Sequence, residues 1–153
     1  ENFELGYHGY HHGIPGVSNN DEFKKINFQN ADNLFKMMFE IAEAAGLHNI
    51  FKPIFRPPAW KMSKDAINAA QSNNIDILAL SPKFNYEKKF DKTVYLTCNP
   101  PFDPLEYSTT TEIVYHACEW DRNYLSKDMT LQLKEFLSRE KKDIKFCFME
   151  EMV

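Results

Sequence analysis

The fold and the chemistry of this chain centre on one stretch, Glu4-Leu5-Gly6-Tyr7-His8-Gly9-Tyr10-His11-His12-Gly13, which holds three of the five histidines. Neutral imidazole is the commonest side-chain metal ligand, so the question is whether His8 and His12 can reach one ion. In a continuous strand they would share a face but lie roughly 13 Å apart. On a helical turn their Cβ atoms would lie roughly 5–6 Å apart, and ligand bonds of about 2.0–2.1 Å could converge.

The glycines of this stretch indicate where the turn lies. We expect a strand that ends just before His8 and breaks at Gly9 into a tight turn, with Gly13 and Gly16 on its far side. The same geometry admits His11 as the partner of His8. The stretch therefore predicts a divalent metal site, most readily for zinc. Two histidines and a carboxylate also describe the site of non-haem iron oxygenases, so iron stays open on chemistry alone.

Composition and charge argue against several classes of protein. At 153 residues, 43% hydrophobic and 14% aromatic, the chain suits one domain with a core rich in phenylalanine. The net charge of -4 gives no basic field for phosphate backbones, so nucleic acid is not an expected partner. No apolar run is long enough to span a bilayer, so no membrane partner is expected. Three widely spaced cysteines without a C-x-x-C pair favour a reducing compartment such as the cytoplasm.

Hydrophobic periodicity and turn residues predict strands that alternate with helices. Six strands are expected, at residues 3–7, 50–55, 75–80, 93–98, 113–118 and 144–148. A first helix capped by Asn30 ends at Gly46, a second is capped by Ser63, and a last one is capped by Ser126 or Asp128. This alternation is typical of an α/β fold, with a parallel sheet or barrel of βα units.

In such folds the functional groups lie at the C-terminal ends of the strands. His8 and His12 follow the first predicted strand, Arg56 and Trp60 follow the second, and His116 lies near the end of the fifth. Scattered structural residues would have no reason to gather at one edge, so this placement predicts a site. Ordinary roles stay open for each of them: a surface charge for Arg56, and core packing for Trp60 and His116.

Three stretches in this order resemble motifs of the polysaccharide deacetylase superfamily, which contains chitin and peptidoglycan deacetylases. They are residues 8–12 (HGYHH), 55–60 (FRPPAW) and 114–116 (VYH). The resemblance implies a distorted (β/α) barrel and a metal-dependent hydrolase that removes acetyl groups from N-acetylated sugars. In the commoner form of the first motif a Ser or Thr follows the first histidine. Gly9 stands here instead, so one orienting hydroxyl is lost.

The resemblance also implies catalytic roles. His8 and His12 would be the metal ligands, with zinc the expected ion. Arg56 would orient a catalytic carboxylate, and His116 would be the general acid. Chemistry supports this division, because the metal polarises the acetyl carbonyl and activates a water, a carboxylate accepts a proton from that water, and an imidazolium protonates the departing amine.

Substrate contacts follow from the same resemblance. Trp60 would form an apolar wall against the sugar, and Tyr10 is placed with it in the substrate site. The implied partner is a carbohydrate, because aromatic faces pack on apolar sugar faces while a few polar groups set the orientation.

One feature of the family is absent. In the family an Asp-Asp pair upstream of the histidines supplies the third metal ligand and the catalytic base, but only seven residues precede His8 and none is Asp. We expect that the chain, which opens with Glu1, is a fragment lacking that strand. The alternatives are that Asp21 or Glu22 replaces the pair, or that the protein is a non-catalytic metal- or glycan-binding remnant. For a fragment we expect little deacetylase activity and self-association into oligomers through an unpaired strand edge.

Overall fold

The computed structural model describes residues 3–119, 121–139 and 144–153, which fall into two compact units. The first unit runs to Tyr95 and includes Met149–Glu151 and Val153, and the second comprises Leu96–Phe148 and Met152. Over the described ranges, no helix combines the length and the apolar character needed to cross a bilayer.

The first unit is built on a four-stranded sheet in which every pairing is parallel. Its strands, which are neighbours in chain order, are β1 (Leu5–Tyr7), β2 (Phe51–Phe55), β3 (Ile77–Leu80) and β4 (Thr93–Tyr95). The register places Tyr7 opposite Phe55 and Leu78 opposite Thr93. The α/β class predicted from the alternating pattern is therefore confirmed, and the first four strands lie where they were expected, each shorter than predicted.

Two helices connect the first three strands. Helix α1 (Phe28–Ala44) joins β1 to β2, and helix α2 (Lys64–Ser72) joins β2 to β3. The prediction that Asn30 caps α1 is wrong. Asn27 is the cap, and its side chain accepts a hydrogen bond from the Asn30 N–H at 2.9 Å. A capping side chain accepts from the N–H three residues after it, and Asn27 and Asn30 have this spacing. The first of the two asparagines is therefore the cap.

The other helix ends agree with the sequence. Gly46 follows α1 with a φ of 69°, and the Leu47 N–H donates to the Ala42 carbonyl at 2.8 Å, which is the glycine-dependent Schellman end. Ser63 caps α2 because its Oγ accepts from the Ala66 N–H at 3.0 Å. These bonds satisfy backbone groups that a helix end would otherwise leave without partners.

Aromatic rings form the core between the helices and the sheet. Phe23, Phe35 and Phe55 are fully buried, and their ring centroids lie 5.3, 4.8 and 4.9 Å apart pairwise. Truncating one of these rings to alanine would cost about 3–5 kcal/mol. Three apolar residues of α2 are buried in the same core: Ala66, Ile67 and Ala70. This core fixes Phe23, which directly follows Glu22 in the chain.

The second unit contains helix α3 (Lys127–Arg139). Ser126, one of the two caps predicted, accepts a hydrogen bond from the Met129 N–H at 3.2 Å. Phe136 is buried on this helix, and its ring stacks on Tyr107 with centroids 4.3 Å apart.

The fifth and sixth predicted strands are wrong. Within residues 113–118 the backbone makes only isolated bridges, from Ile113 to Cys98 and from His116 to Tyr124. Residues 144–148 form no strand. Alternating β-branched and aromatic residues fit a half-buried pleated surface, but a strand also needs a neighbour over several residues.

Candidate functional site

The histidine turn begins where β1 ends. The Arg56 N–H donates to the Tyr7 carbonyl at 2.9 Å, which is the last backbone bond joining the ends of β1 and β2. Beyond it the chain leaves the sheet at Gly9, whose φ of 107° is easily reached only by glycine. A second left-handed residue, His12 with φ 65°, folds the stretch back on itself. The turn expected at Gly9 is present, but it is irregular rather than helical.

His8 and His12 lie side by side in this turn. Their ring centroids are 5.0 Å apart, with the planes at 66°. Both Nδ1 atoms contact backbone carbonyls, His8 that of Arg56 at 2.7 Å and His12 that of Asn19 at 2.6 Å. A carbonyl only accepts, so each Nδ1 carries the proton, and in the neutral ring the lone pair is on Nε2. Histidines that bind metals are usually held in this way, by a hydrogen bond from the other ring nitrogen.

His11 takes a different place from the other two histidines. Its ring packs edge to face on Tyr10, with centroids 4.5 Å apart. Tyr10 in turn is half-buried against the core of the first unit. The ring contacts therefore pair His8 with His12. Tyr10 packs against the core, in addition to the substrate contact that the family resemblance implies for it.

Glu22 holds the backbone of the turn. This side chain is only 4% exposed, and its Oε2 and Oε1 accept hydrogen bonds from the Tyr10 N–H at 2.9 Å and the His11 N–H at 2.8 Å. A Cβ at Gly9 would lie 2.6 Å from Glu22 Oε2. Glycine is thus required at position 9 for space as well as for its φ.

The far side of the turn packs against the loop that follows it. A Cβ added to Gly13 would lie 2.2 Å from the Ser18 carbonyl oxygen and 2.7 Å from Asn19 Cα. The Ser18 hydroxyl donates to Asp21 Oδ1 and accepts from the Ile14 N–H at 3.2 Å. This close approach brings the Asn19 carbonyl to His12.

The backbone of the segment after β2 is strained at Trp60 and the residue before it. Ala59 and Trp60 both have a φ of 55°, and each such non-glycine residue costs on the order of 1–3 kcal/mol. The Trp60 carbonyl is held by the Ser81 N–H at 2.9 Å and the Tyr86 hydroxyl at 2.6 Å. Burial raises the pKa of Tyr86 to about 12. Backbone strain of this kind is commonest at functional sites, where surrounding contacts maintain it.

His116 belongs to the second unit, where a buried amide holds it. Its Nδ1 donates to the Oδ1 of Asn123, whose side chain is only 1% exposed and donates in turn to Asn99 Oδ1. Asp121 Oδ1 lies 3.8 Å from His116 Nδ1 and accepts from the Asn123 N–H at 3.2 Å. The hydrogen-bond partner of His116 Nδ1 is thus the Asn123 amide. The Asp121 carboxylate is hydrogen-bonded to the Asn123 backbone and lies further from the ring.

Among the residues that the structure describes, no third ligand-type side chain is grouped with the histidine pair. Across the ranges that the structure describes, no three His, Cys, Asp or Glu side chains are grouped so as to hold an ion. Glu22 and Asp21, the carboxylates considered as replacements for the Asp pair, are bonded to the turn backbone and to the Ser18 hydroxyl. The two imidazoles are the candidate ligands for a metal, and the remaining ligands would be water, substrate or a carboxylate from elsewhere.

Sequence reasoning missed three groups that shape these sites: the Glu22 carboxylate in its backbone role, the Asn19 carbonyl and the Asn123 amide. Each acts across 7 to 12 residues of intervening chain. No local periodicity reports such a contact. The only signal was the pair of glycines, Gly9 and Gly13, which indicate close approach without naming the partner.

Comparison with protein-family profiles, with curated proteins and with solved structures finds no match for this chain. The function is therefore proposed from the geometry of the site and from the motifs in residues 8–12, 55–60 and 114–116.

Proposed function

We propose that this protein is a metal-dependent hydrolase that removes acetyl groups from N-acetylated sugars. One observation carries the proposal: the rings of His8 and His12 lie 5.0 Å apart, each with its Nδ1 bound to a backbone carbonyl. This arrangement directs both lone pairs to Nε2, the form in which imidazole binds zinc. Iron would accept the same two ligands, so the metal content has to be measured.

A (β/α) barrel is the architecture that we propose for the fold. The support is the strand order, because β1 to β4 are parallel and adjacent in chain order, with a helix after each of β1 and β2. Barrels of βα units have this order, whereas doubly wound sheets reverse direction at a switch point. In a barrel the ends of β1 and β2, which carry the histidine turn and Arg56, open on the catalytic face.

The proposed chemistry divides between the metal and the side chains. The ion would polarise the acetyl carbonyl and lower the pKa of a bound water. Arg56, whose backbone carbonyl already fixes His8, would orient a carboxylate or the substrate. His116 would give a proton to the departing amine, with its Nδ1 held by Asn123 so that Nε2 is the transferring atom.

The sugar would lie against Trp60, with Tyr10 on the turn beside it. Trp60 is half-buried, and two hydrogen bonds hold its backbone carbonyl, so its ring is anchored at a fixed point of the chain. Titration with N-acetylglucosamine oligomers, followed by tryptophan fluorescence, tests this contact. Trp60→Phe should abolish the change in fluorescence, and a response that survives it would point to Trp120 instead.

A second candidate function is non-catalytic binding of a metal or a glycan on the same fold. The observation that favours it is the use of Glu22: both oxygens accept backbone N–H groups, which leaves the carboxylate poorly placed to take a proton from water. General-base assistance contributes roughly 10²–10⁴-fold, so a site without it would be slow.

Acetate release from N-acetylglucosamine oligomers, with zinc or cobalt added, separates the two functions. Turnover that is lost in the His8→Ala, His12→Ala double variant supports the hydrolase. Stoichiometric metal binding without turnover supports the binding protein. A chain that binds neither metal nor the oligomers and releases no acetate would contradict both.

A further inference from the structure

We infer that Glu22 is a positioning residue, which sets the spacing of His8 and His12 before any metal arrives. This inference rests on the proposed metal site and adds to it a preorganised support. Each histidine side chain is hydrogen-bonded through its Nδ1 to a backbone carbonyl. The backbone between them is held by a buried carboxylate at its two central amides, Tyr10 and His11.

Glu22 contacts the turn through both of its carboxylate oxygens. One oxygen takes the Tyr10 N–H at 2.9 Å and the other takes the His11 N–H at 2.8 Å, so the carboxylate spans two consecutive amides. Hydrogen bonds to an ionised acceptor are about twice as strong as neutral ones. A neutral amide at position 22 could accept from one of these N–H groups, but its NH₂ would face the other donor.

Steric contacts close the turn around this carboxylate. A Cβ at Gly9 would meet Glu22 Oε2 at 2.6 Å and Pro58 Cγ at 3.1 Å, so residue 9 packs closely against both groups. The turn has little room to move toward these two groups. They therefore limit the path of the chain from His8 to Tyr10.

The acid itself is tied to the core. Phe23, the next residue, is fully buried among the rings of Phe35 and Phe55. Its carbonyl accepts from the Ser63 N–H at 2.9 Å, at the start of α2. Through Phe23, the spacing of the histidine pair depends on the packed interior rather than on the exposed turn.

The test measures zinc affinity by calorimetry for the full chain and for Glu22→Gln. Loss of a residue that orients metal ligands typically costs 10–100-fold in affinity, and we expect a loss of about that size. Asp32→Asn is the matched control. It also converts a buried carboxylate with two donors, Lys36 Nζ and Asn73 Nδ2, but Asp32 lies on α1, and zinc affinity should not change.

A second measurement needs no metal. In the metal-free protein, amide hydrogen exchange at Tyr10 and His11 should be slow, and it should become fast in Glu22→Gln while the amides of α1 stay protected. Gly9→Ala reaches the same contact from the other side, through the Cβ that would meet Oε2. Hydrogen exchange at the same two amides should become fast in this variant too. That result would show that the effect does not come from the introduced glutamine.

The outcomes separate this inference from the proposed function. If the wild-type chain binds no zinc, the metal site is refuted, and exchange at the two amides alone decides whether Glu22 holds the turn. If the wild type binds zinc and Glu22→Gln binds it equally well, Glu22 does not position the ligands. Exchange that stays slow in both variants would also overturn the inference.

Discussion

The imidazole rings of His8 and His12 lie 5.0 Å apart in a turn that contains no helical hydrogen bond between the two residues. The contact arises because Gly9 and His12 both adopt a positive φ, of 107° and 65°. In an extended strand, His8 and His12 would instead lie roughly 13 Å apart. The pair is a product of backbone reversal, and changes that relax the reversal should separate the rings.

Removing the two imidazoles should remove the metal. We expect the wild-type chain to retain about one divalent ion per chain after dialysis against a weak chelator, and His8→Ala, His12→Ala to retain none. His11→Ala should lose little, because the His11 ring packs on Tyr10. Elemental analysis measures all three proteins. Equal losses in the double variant and in His11→Ala would mean that the wrong pair was chosen.

Gly13→Ala should loosen the turn from its far side. The new Cβ would meet the backbone of Ser18 and Asn19 at 2.2–2.7 Å, and backbone cannot move aside cheaply. We expect a loss of about 1–3 kcal/mol in unfolding free energy and weaker zinc binding, because the Asn19 carbonyl would leave His12. Gly16→Ala is the control, since its φ is 73° but no atom lies within 4 Å of the added Cβ.

Urea unfolding and zinc titration of both variants distinguish steric from backbone effects. Gly16→Ala should show only the modest cost of a left-handed alanine and normal zinc affinity. If both variants lose zinc equally, the close approach at Gly13 is not what positions His12.

The main elements could be predicted because they depend on local patterns. The caps at Ser63 and Ser126 bond to N–H groups three residues further along the chain, and the end of α1 at Gly46 depends on a bond from Leu47 to Ala42, so all three are local. The strands at 113–118 and 144–148 were wrong because pairing depends on a distant neighbour. Cys98 meets Ile113 at a single bridge, and nothing in the alternation of residues 113–118 indicates that the pairing stops there.

The candidate site shows the same division. The spacing of His8 and His12 with the intervening glycine predicted a turn that brings them together, because that inference concerns only five residues. The role of Glu22 could not be predicted from its position. A glutamate twelve residues beyond Tyr10 is equally consistent with a metal ligand, a surface charge or a backbone acceptor, and only the folded path selects the last.

Asn123 should fix the tautomer of His116. Its Oδ1 accepts from His116 Nδ1, so the neutral ring should carry its proton on Nδ1, which imidazole ¹⁵N shifts report directly. Asn123→Ala should shift the ring toward a mixture of tautomers and cost about 1–3 kcal/mol, because Asn99 also loses its buried partner. Asp121→Asn should leave the tautomer unchanged, since that carboxylate is 3.8 Å from the ring. A shift in Asp121→Asn but not in Asn123→Ala would reverse the assignment.

Tyr86→Phe should change how stability depends on alkaline pH. The Tyr86 hydroxyl donates to the Trp60 carbonyl at 2.6 Å, and burial raises its pKa from 10.0 to about 12. Because the folded pKa is the higher one, the unfolded chain loses this proton first. The contribution of Tyr86 is therefore complete below pH 10.0 and declines as the pH rises toward 12.

At neutral pH Tyr86→Phe should lose about 1 kcal/mol, the worth of one hydrogen bond. Above about pH 10 the wild type should lose stability faster than the variant, so the difference between them should shrink. Urea unfolding at a series of pH values measures this difference, which cancels the other tyrosines common to both proteins. Tyr124→Phe, which removes a tyrosine hydroxyl from the second unit, is the control for the substitution itself. A Tyr86→Phe difference that is constant through pH 11 would mean that the hydroxyl is not buried against the Trp60 carbonyl. The Trp60 carbonyl, in the strained segment at Ala59 and Trp60, would then keep its bond from the Ser81 N–H.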